Sequence, residues 1–513
     1  MSKELDNSLK KIAKGTLIIF LGLFIGELLN FLTRIIIVRN LTPSEYGIFS
    51  LVVVIVLLST RLSSLGLQAG ITRYLSFFRA RKDHGKILGT VVSSIKISSI
   101  SSIISFFILF FGAQLISIIF HNPELVYPLK VYSIALPFLL MTIIFISIYR
   151  GLERADVHFI FQEIIRNLSI ILGMVVLLFI GFTLYNVVYI YLISAVLTCV
   201  TLAIYSYKRF FRFLKKHVPS PMGKQILFFS FPVLARIFSN QIITWSDVLM
   251  LGYFKESDVV GMYNVSLLLA NYMIVFLTAA TFLYFPLSTK LYSSNKHATF
   301  SRIYSVVTKW IFSATLPAAL ILFLFPSQVL GFLYGSDYIS AGFALSILAM
   351  GFMVHIFLGP NTETLMVVGK TKFIMYAAMS SAIINIILNL LFIPNMGMIG
   401  AAIASAIALA YINLLISIKL YHLTGIHPFT KTYLKPCLLS ILSIVLVYLF
   451  AINFLVIEAW MLPILFVFFV IIYVAALLLT KSFDKEDLMM LLLVEKRMGL
   501  NLSFIKNILN RFV

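Results

Sequence analysis

The chain has 513 residues, 61% of them apolar and 12% charged, with a mean hydropathy of +1.04. A soluble domain keeps about a quarter of its residues charged to cover its surface, so this composition excludes a water-soluble protein and points to one solvated by lipid. A net charge of +21 would suit nucleic acid, but the Lys and Arg residues fall in short clusters between apolar runs and form no basic domain.

A bilayer core about 30 Å thick takes about 20 apolar residues per helix. The basic start (Lys3, Lys10, Lys11, Lys14) leads into an apolar run too long for a signal-peptide core and without a small-residue cleavage site. It is read as a retained first span, 15–38. Five further spans follow at 46–68, 87–111, 128–149, 159–180 and 184–206, closing an N-lobe over 1–206. A cytoplasmic linker, 207–224, precedes a C-lobe over 225–420 with spans at 225–253, 259–286, 303–325, 339–360, 373–393 and 397–419. A last pair, 434–453 and 459–480, leads into a cytoplasmic amphipathic tail over 481–513. The expectation is an all-α integral membrane protein with 14 transmembrane helices: two pseudo-symmetric six-helix lobes plus two C-terminal helices, both termini cytoplasmic. The positive-inside rule supports this orientation, because 31 of the 40 Lys and Arg residues fall in the cytoplasmic segments. Only Arg39, Lys130 and Lys255 fall in the outer loops.

An internal repeat accompanies the two lobes. Glu45-Tyr46-Gly47-Ile48-Phe49 aligns with Val259-Val260-Gly261-Met262-Tyr263, Arg34 with Asp247, and Phe159 with Phe373, all at nearly one offset. The stretch Arg39-Asn40-Leu41-Thr42-Pro43-Ser44-Glu45-Tyr46-Gly47 resembles the first outer turn of polysaccharide-type flippases. So do Gly66-Leu67 leading to Arg73-Tyr74, and Gly261-Met262-Tyr263-Asn264. These flippases belong to the multidrug/oligosaccharidyl-lipid/polysaccharide exporter superfamily, and the likeness runs along essentially the whole chain. It implies a transporter of the cytoplasmic membrane whose cargo is a lipid-linked oligosaccharide. Related flippases carry cargo arginines on the first two spans and the eighth; here the eighth has Asn instead, and Arg236 is the candidate substitute.

Ionisable groups in a bilayer normally face a cavity or a partner. Glu27, Asn30 and Arg34 share one face of span 1, and Arg61, Ser64 and Gln68 one face of span 2. Span 7 carries Arg236, Asn240 and Asp247, and span 8 Asn264 and Asn271. The candidate substrate-binding residues are Arg34, Arg61, Arg236, Asn240, Asn264 and Asn271, lining a wet cavity between the lobes. Guanidinium groups suit a pyrophosphate because their planar donors bind its oxygens bidentately and stay charged when desolvated. Glu27 and Asp247 are the candidate ion-coupling residues, for Na⁺ or H⁺; structural pairing of Glu27 with Arg34, or Arg236 with Asp247, is the alternative. Glu163 and Arg166, with Lys96 and Lys309, are read as snorkelling to the interface.

No catalytic constellation, metal set or cofactor is expected: Cys199 and Cys437 lie in apolar runs, and the eight histidines are scattered. Gly369-Lys370-Thr371 imitates the end of a P-loop, but Thr364 stands where its first glycine belongs. The expected partners are the lipid-linked oligosaccharide, membrane lipids and other polysaccharide-assembly membrane proteins. Two readings compete with flipping. A cation-coupled multidrug exporter would prefer an acidic, aromatic cavity, and a non-transporting scaffold of a glycan-assembly complex needs none. A glycan polymerase or ligase is disfavoured, because the outer loops are too short to carry its catalytic residues.

Overall fold

A computed structural model of the protein describes residues 24–211, 218–429, 438, 442 and 461–479, with helices throughout and no strand among the described residues. Among them, 9 helices are long and apolar enough to cross a membrane, or 10 counting one bent pair. The expected span 434–453 falls almost wholly outside the described residues, as do residues 15–23 of the first span and the tail from 481. The described residues up to Gly261 form one compact unit, and those from Met262 onward another.

The first unit opens with helix α1 through 24–40, followed by α2 (Pro43–Ser63). The start of α2 is set by its sequence. Pro43 fits the first helical turn, the Thr42 hydroxyl accepts from the Glu45 amide at 3.3 Å, and the Glu45 carboxylate accepts from the Thr42 amide at 3.0 Å.

The expected span 46–68 does not run through. The chain breaks at Ser64-Leu65-Gly66 and resumes as α3 (Leu67–Ala80), with Leu65 and Gly66 at φ 48° and 70°. Close packing imposes the break: a Cβ on Gly66 would lie 2.5 Å from the Ser230 carbonyl oxygen of α10 (Gly223–Phe254). Next comes α4 (His84–Ile119), whose 36 residues span about 54 Å, well beyond the hydrocarbon core. Its serine face packs on α2, with the Ser63 and Ser105 hydroxyls 2.6 Å apart and Ser101 Oγ donating to the Ser63 carbonyl at 2.8 Å.

The next crossing is the bent pair α5 (Val126–Ser133) and α6 (Leu136–Gly151), at 45°. The fifth expected span starts as a short turn, α7 (Ala155–His158), widens to a π-helical segment over Phe159–Ile165, and continues as α8 (Arg166–Ile180). Then come α9 (Leu184–Ser206), α10 and α11 (Ser257–Asn271). At the first turns of α2 and α11 two backbones touch: a Cβ on Gly47 would overlap the Ser257 carbonyl oxygen, and one on Gly261 would overlap that of Pro43.

The second unit contains α12 (Val275–Ser293), α13 (His297–Leu324), α14 (Pro326–Tyr334), α15 (Gly342–Phe357), α16 (Asn361–Val367), α17 (Thr371–Met396), α18 (Met398–Thr424) and α19 (Leu462–Leu479). Small residues bring α15 and α18 together, a Cβ on Gly351 lying 2.7 Å from the Ala406 Cα. The tenth expected span continues past a break at Leu358-Gly359-Pro360, where Gly359 takes φ 66°.

Candidate functional site

The charges of the first unit gather on α1, α2 and the fifth span. Arg34 Nη1 donates to the hydroxyl of Tyr46, a wholly buried residue on α2, at 3.1 Å. Behind Tyr46 lies an aromatic wall. Phe49 meets Tyr191 edge-on at 5.0 Å, and Tyr191 meets Tyr132 edge-on at 6.2 Å. The charges of Arg34 and Arg166 both act on the Tyr132 and Tyr191 hydroxyls. Arg166 also repels Arg61 and attracts Glu163, while Glu27 repels Glu163.

The π-helical turn and a glycine position Glu163. Gly26 lacks a side chain where the Glu163 carboxylate lies against α1; a Cβ there would overlap Glu163 Oε2. Asn167, 4% exposed, fixes the same crossing by donating to the Gly26 carbonyl at 3.3 Å. A π-turn shifts the helical register locally, so residues before and after it present different faces from those of a plain α-helix.

Arg34, Arg61 and Arg166 thus stand with Glu27 and Glu163 in one electrostatic neighbourhood. No ion pair within 4.0 Å joins Arg61, Arg166, Glu27 or Glu163 to any partner among the described residues. Guanidinium groups held near one another without a close carboxylate are costly in a low-dielectric region. An anion that bridges them removes that cost, and its oxygens match their planar donors.

Arg34 lies on α1 and Arg61 on α2, while the sequence reading assigns Glu163 and Arg166 to the interface. The structure sets Glu163 against Gly26 of α1. Their signal was present: Glu163, Arg166 and Asn167 repeat at helical spacing in an apolar span, as Glu27, Asn30 and Arg34 do. Lys309, also expected to snorkel, is only 5% exposed, whereas Lys96 is exposed. Arg236 and Asn240 ride on α10, but their side chains lie outside the described residues. Asp247 on α10 is 2% exposed. Asn264 is 3% exposed on α11, and Asn271, at the end of that helix, is exposed; both belong to the second unit.

The family model described as "Polysaccharide biosynthesis protein" matches residues 12–292, more than half of the chain. The chain belongs to the polysaccharide biosynthesis protein family. A second model, MatE, matches residues 232–391 of this polysaccharide biosynthesis protein. It is 22% identical over 421 residues to an uncharacterized membrane protein of Methanocaldococcus jannaschii, covering 77% of this chain and 81% of that one. It is 28% identical over 190 residues to the probable low-salt glycan biosynthesis flippase Agl15 of Haloferax volcanii, covering 34% and 39%. Its fold matches the solved structure of the lipid II flippase MurJ in an inward closed conformation, with a TM-score of 0.65 at 17% identity over 90% of this chain and 98% of that one. The likeness to polysaccharide-type flippases therefore holds, and this family member is a multi-pass membrane protein that shares the fold of those flippases.

Proposed function

We propose that the protein translocates a polyprenyl-pyrophosphate-linked oligosaccharide across the cytoplasmic membrane by alternating access, for surface polysaccharide or glycoconjugate synthesis. The observation that carries this reading is the group of Arg34, Arg61 and Arg166, three guanidinium-bearing side chains within one electrostatic neighbourhood. A pyrophosphate supplies the missing negative charge, and its head group can enter while the polyprenyl tail stays in lipid. The name of the Haloferax relative, a glycan biosynthesis flippase, supports the same cargo class. Fourteen spans with cytoplasmic termini, and coupling to Na⁺ or H⁺, belong to this proposal. Bond-making chemistry does not, because the cargo needs only to be moved.

The test uses proteoliposomes carrying a fluorescent polyprenyl-pyrophosphate oligosaccharide. Wild type moves it between leaflets, and Arg34→Ala and Arg61→Ala lose the movement while remaining folded. No movement by folded wild type under any ion gradient would overturn the reading. The MatE match over 232–391 favours a second reading, cation-coupled multidrug export. Under that reading wild type moves lipophilic cations, and the arginine variants move them at least as fast.

A further inference from the structure

Within the first unit, the non-helical segment 218–222 runs along α4 before the chain enters α10. Its sequence favours that course. Pro219 and Pro221 each bias the residue before them, Val218 and Ser220, towards extended backbone, and neither proline has an N–H to donate. Ser220 and Met222, two residues apart, do have one, and both are used on α4. The Ser220 N–H donates to the Gly85 carbonyl at 3.1 Å, and the Met222 N–H to Ser93 Oγ at 3.3 Å. Gly85, Gly89 and Ser93 recur every four residues and so share one face of α4. The two glycines make room for the segment: a Cβ on Gly89 would overlap the Ser220 carbonyl oxygen, and one on Gly85 would lie 3.2 Å from that of Val218.

The helix that follows is held by different means. Met222 and Ile226, 5% and 0% exposed, share a core with Leu67 and Ile71 of α3 and Ile87 and Val91 of α4. The segment itself has two hydrogen bonds and a backbone fit, with Val218 85% exposed and both prolines exposed. A stretch that buries so little apolar surface opens locally ahead of the core beside it. A second observation points the same way. Ser230 of α10 faces Gly70 of α3, where a Cβ would lie 2.6 Å from its hydroxyl oxygen. That hydroxyl is 0% exposed and has no hydrogen-bond partner. A buried, unsatisfied hydroxyl penalises the seated arrangement, and any shift of α10 that admits water or a partner removes the penalty.

We propose that segment 218–221 is a releasable strap: seated in the groove at Gly85 and Gly89, it holds the first turns of α10 on α3 and α4, and its release frees them to move during transport. The part in transport rests on the proposed function; the strap itself does not. Hydrogen exchange read by mass spectrometry, on the purified full-length protein in detergent without cargo, tests the strap. In wild type the Ser220 and Met222 amides exchange at least tenfold faster than the α10 amides beyond Ile226. Gly89→Ala speeds the strap amides a further tenfold and leaves those α10 amides unchanged. Should Gly89→Ala fail to fold, Ser93→Ala removes one hydrogen bond and speeds Met222 by about threefold to tenfold. Strap and α10 amides exchanging at one rate in wild type, or strap exchange unmoved by either variant, would overturn the strap.

A disulfide tests its part in transport. A Cβ on Gly85 lies 3.4 Å from Ser220 Oγ, so Gly85→Cys with Ser220→Cys, in a background lacking Cys199 and Cys437, can close the strap covalently. The closed form should exchange more slowly at the strap and stop lipid movement in proteoliposomes until a reductant is added. Undiminished movement with the disulfide closed would overturn the strap's part in transport and leave the flippase reading standing. Absent movement by folded wild type, with strap exchange as expected, would count against the flippase reading and for the strap.

Discussion

Gly47 and Gly261 stand against each other, a Cβ on either glycine coming within 3.0 Å of the other's amide nitrogen. The contact is reciprocal: each glycine also faces the carbonyl four residues before the other, Ser257 for Gly47 and Pro43 for Gly261. These are the two glycines that the internal repeat aligns, so one local solution is used twice, at the first turns of α2 and α11.

Both neighbours are backbone atoms and have no rotamer into which to retreat. Gly47→Ala and Gly261→Ala should each destabilise by about 1–3 kcal/mol, the usual cost of overpacking. Gly112→Ala is the control, because nothing lies within 4 Å of its Cβ, and alanine favours a helix by about 0.5–1 kcal/mol. Thermal unfolding in detergent checks all three, and equal melting of Gly47→Ala and Gly112→Ala would refute the contact.

The apolar spans were legible because lipid demands long runs of one kind of residue. The breaks were not equally legible. Gly359-Pro360 announces an end to helix in its own chemistry, whereas Ser64-Leu65-Gly66 contains no proline, and Leu65 is a poor left-handed residue. That break is a tertiary effect, arising where Gly66 and Gly70 pack onto Ser230. The π-helical turn at Phe159–Ile165 has no compositional mark either, so Glu163 and Arg166 were assigned to the interface from their position alone. Arg34 and Arg61 were readable because charge in an apolar run is itself the signal.

Lys82, exposed between α3 and α4, holds φ 56°. A non-glycine residue there carries about 1–2 kcal/mol of strain. Lys82→Gly relieves it while adding about 0.5–1 kcal/mol of unfolded-chain entropy, so melting should stay level or rise slightly. A clear fall in melting temperature would show that the lysine side chain contributes more than the strain it causes.

Asp83 caps α4, accepting from the Lys86 amide at 3.0 Å, with the Lys86 ammonium 3.2 Å away. The backbone N–H first, and the Lys86 side chain second, hold its carboxyl below the usual range. A depressed folded value means the contribution is complete above the unfolded pKa of about 3.9 and is lost as pH falls through the folded value. Wild type should therefore lose part of its stability in that acid window, and Asp83→Ala, lower at neutral pH, should lack that part of the dependence. Parallel pH–melting curves for the two proteins would contradict it.

The proposed orientation places Glu153 on the cytoplasmic face and Glu124 outside. Both are exposed, so a cysteine at either position can react. In a background lacking Cys199 and Cys437, Glu153→Cys should label with a membrane-impermeant maleimide only after the membrane is opened, and Glu124→Cys in intact cells. The opposite pattern would invert the topology and place the basic loops outside.

Arg61 and Arg166 repel each other without a close carboxylate between them, which predicts opposite effects on stability and on cargo. Without cargo, Arg166→Ala removes the repulsion and should melt no lower than wild type, as expected where a residue is kept for binding rather than stability. With cargo it loses a charge-assisted hydrogen bond worth about 1.5–3 kcal/mol, roughly a tenfold or greater loss of affinity. Arg61→Lys keeps the charge and gives up the planar fork, so it should bind better than Arg61→Ala and worse than wild type. The double variant should lose less affinity than the two single losses combined, because both groups grip one anion. Binding of the pyrophosphate-linked lipid, measured beside cargo-free melting curves, checks the set. If Arg166→Ala melts lower and still binds cargo normally, Arg166 is a structural residue and the anion site reduces to Arg34 and Arg61.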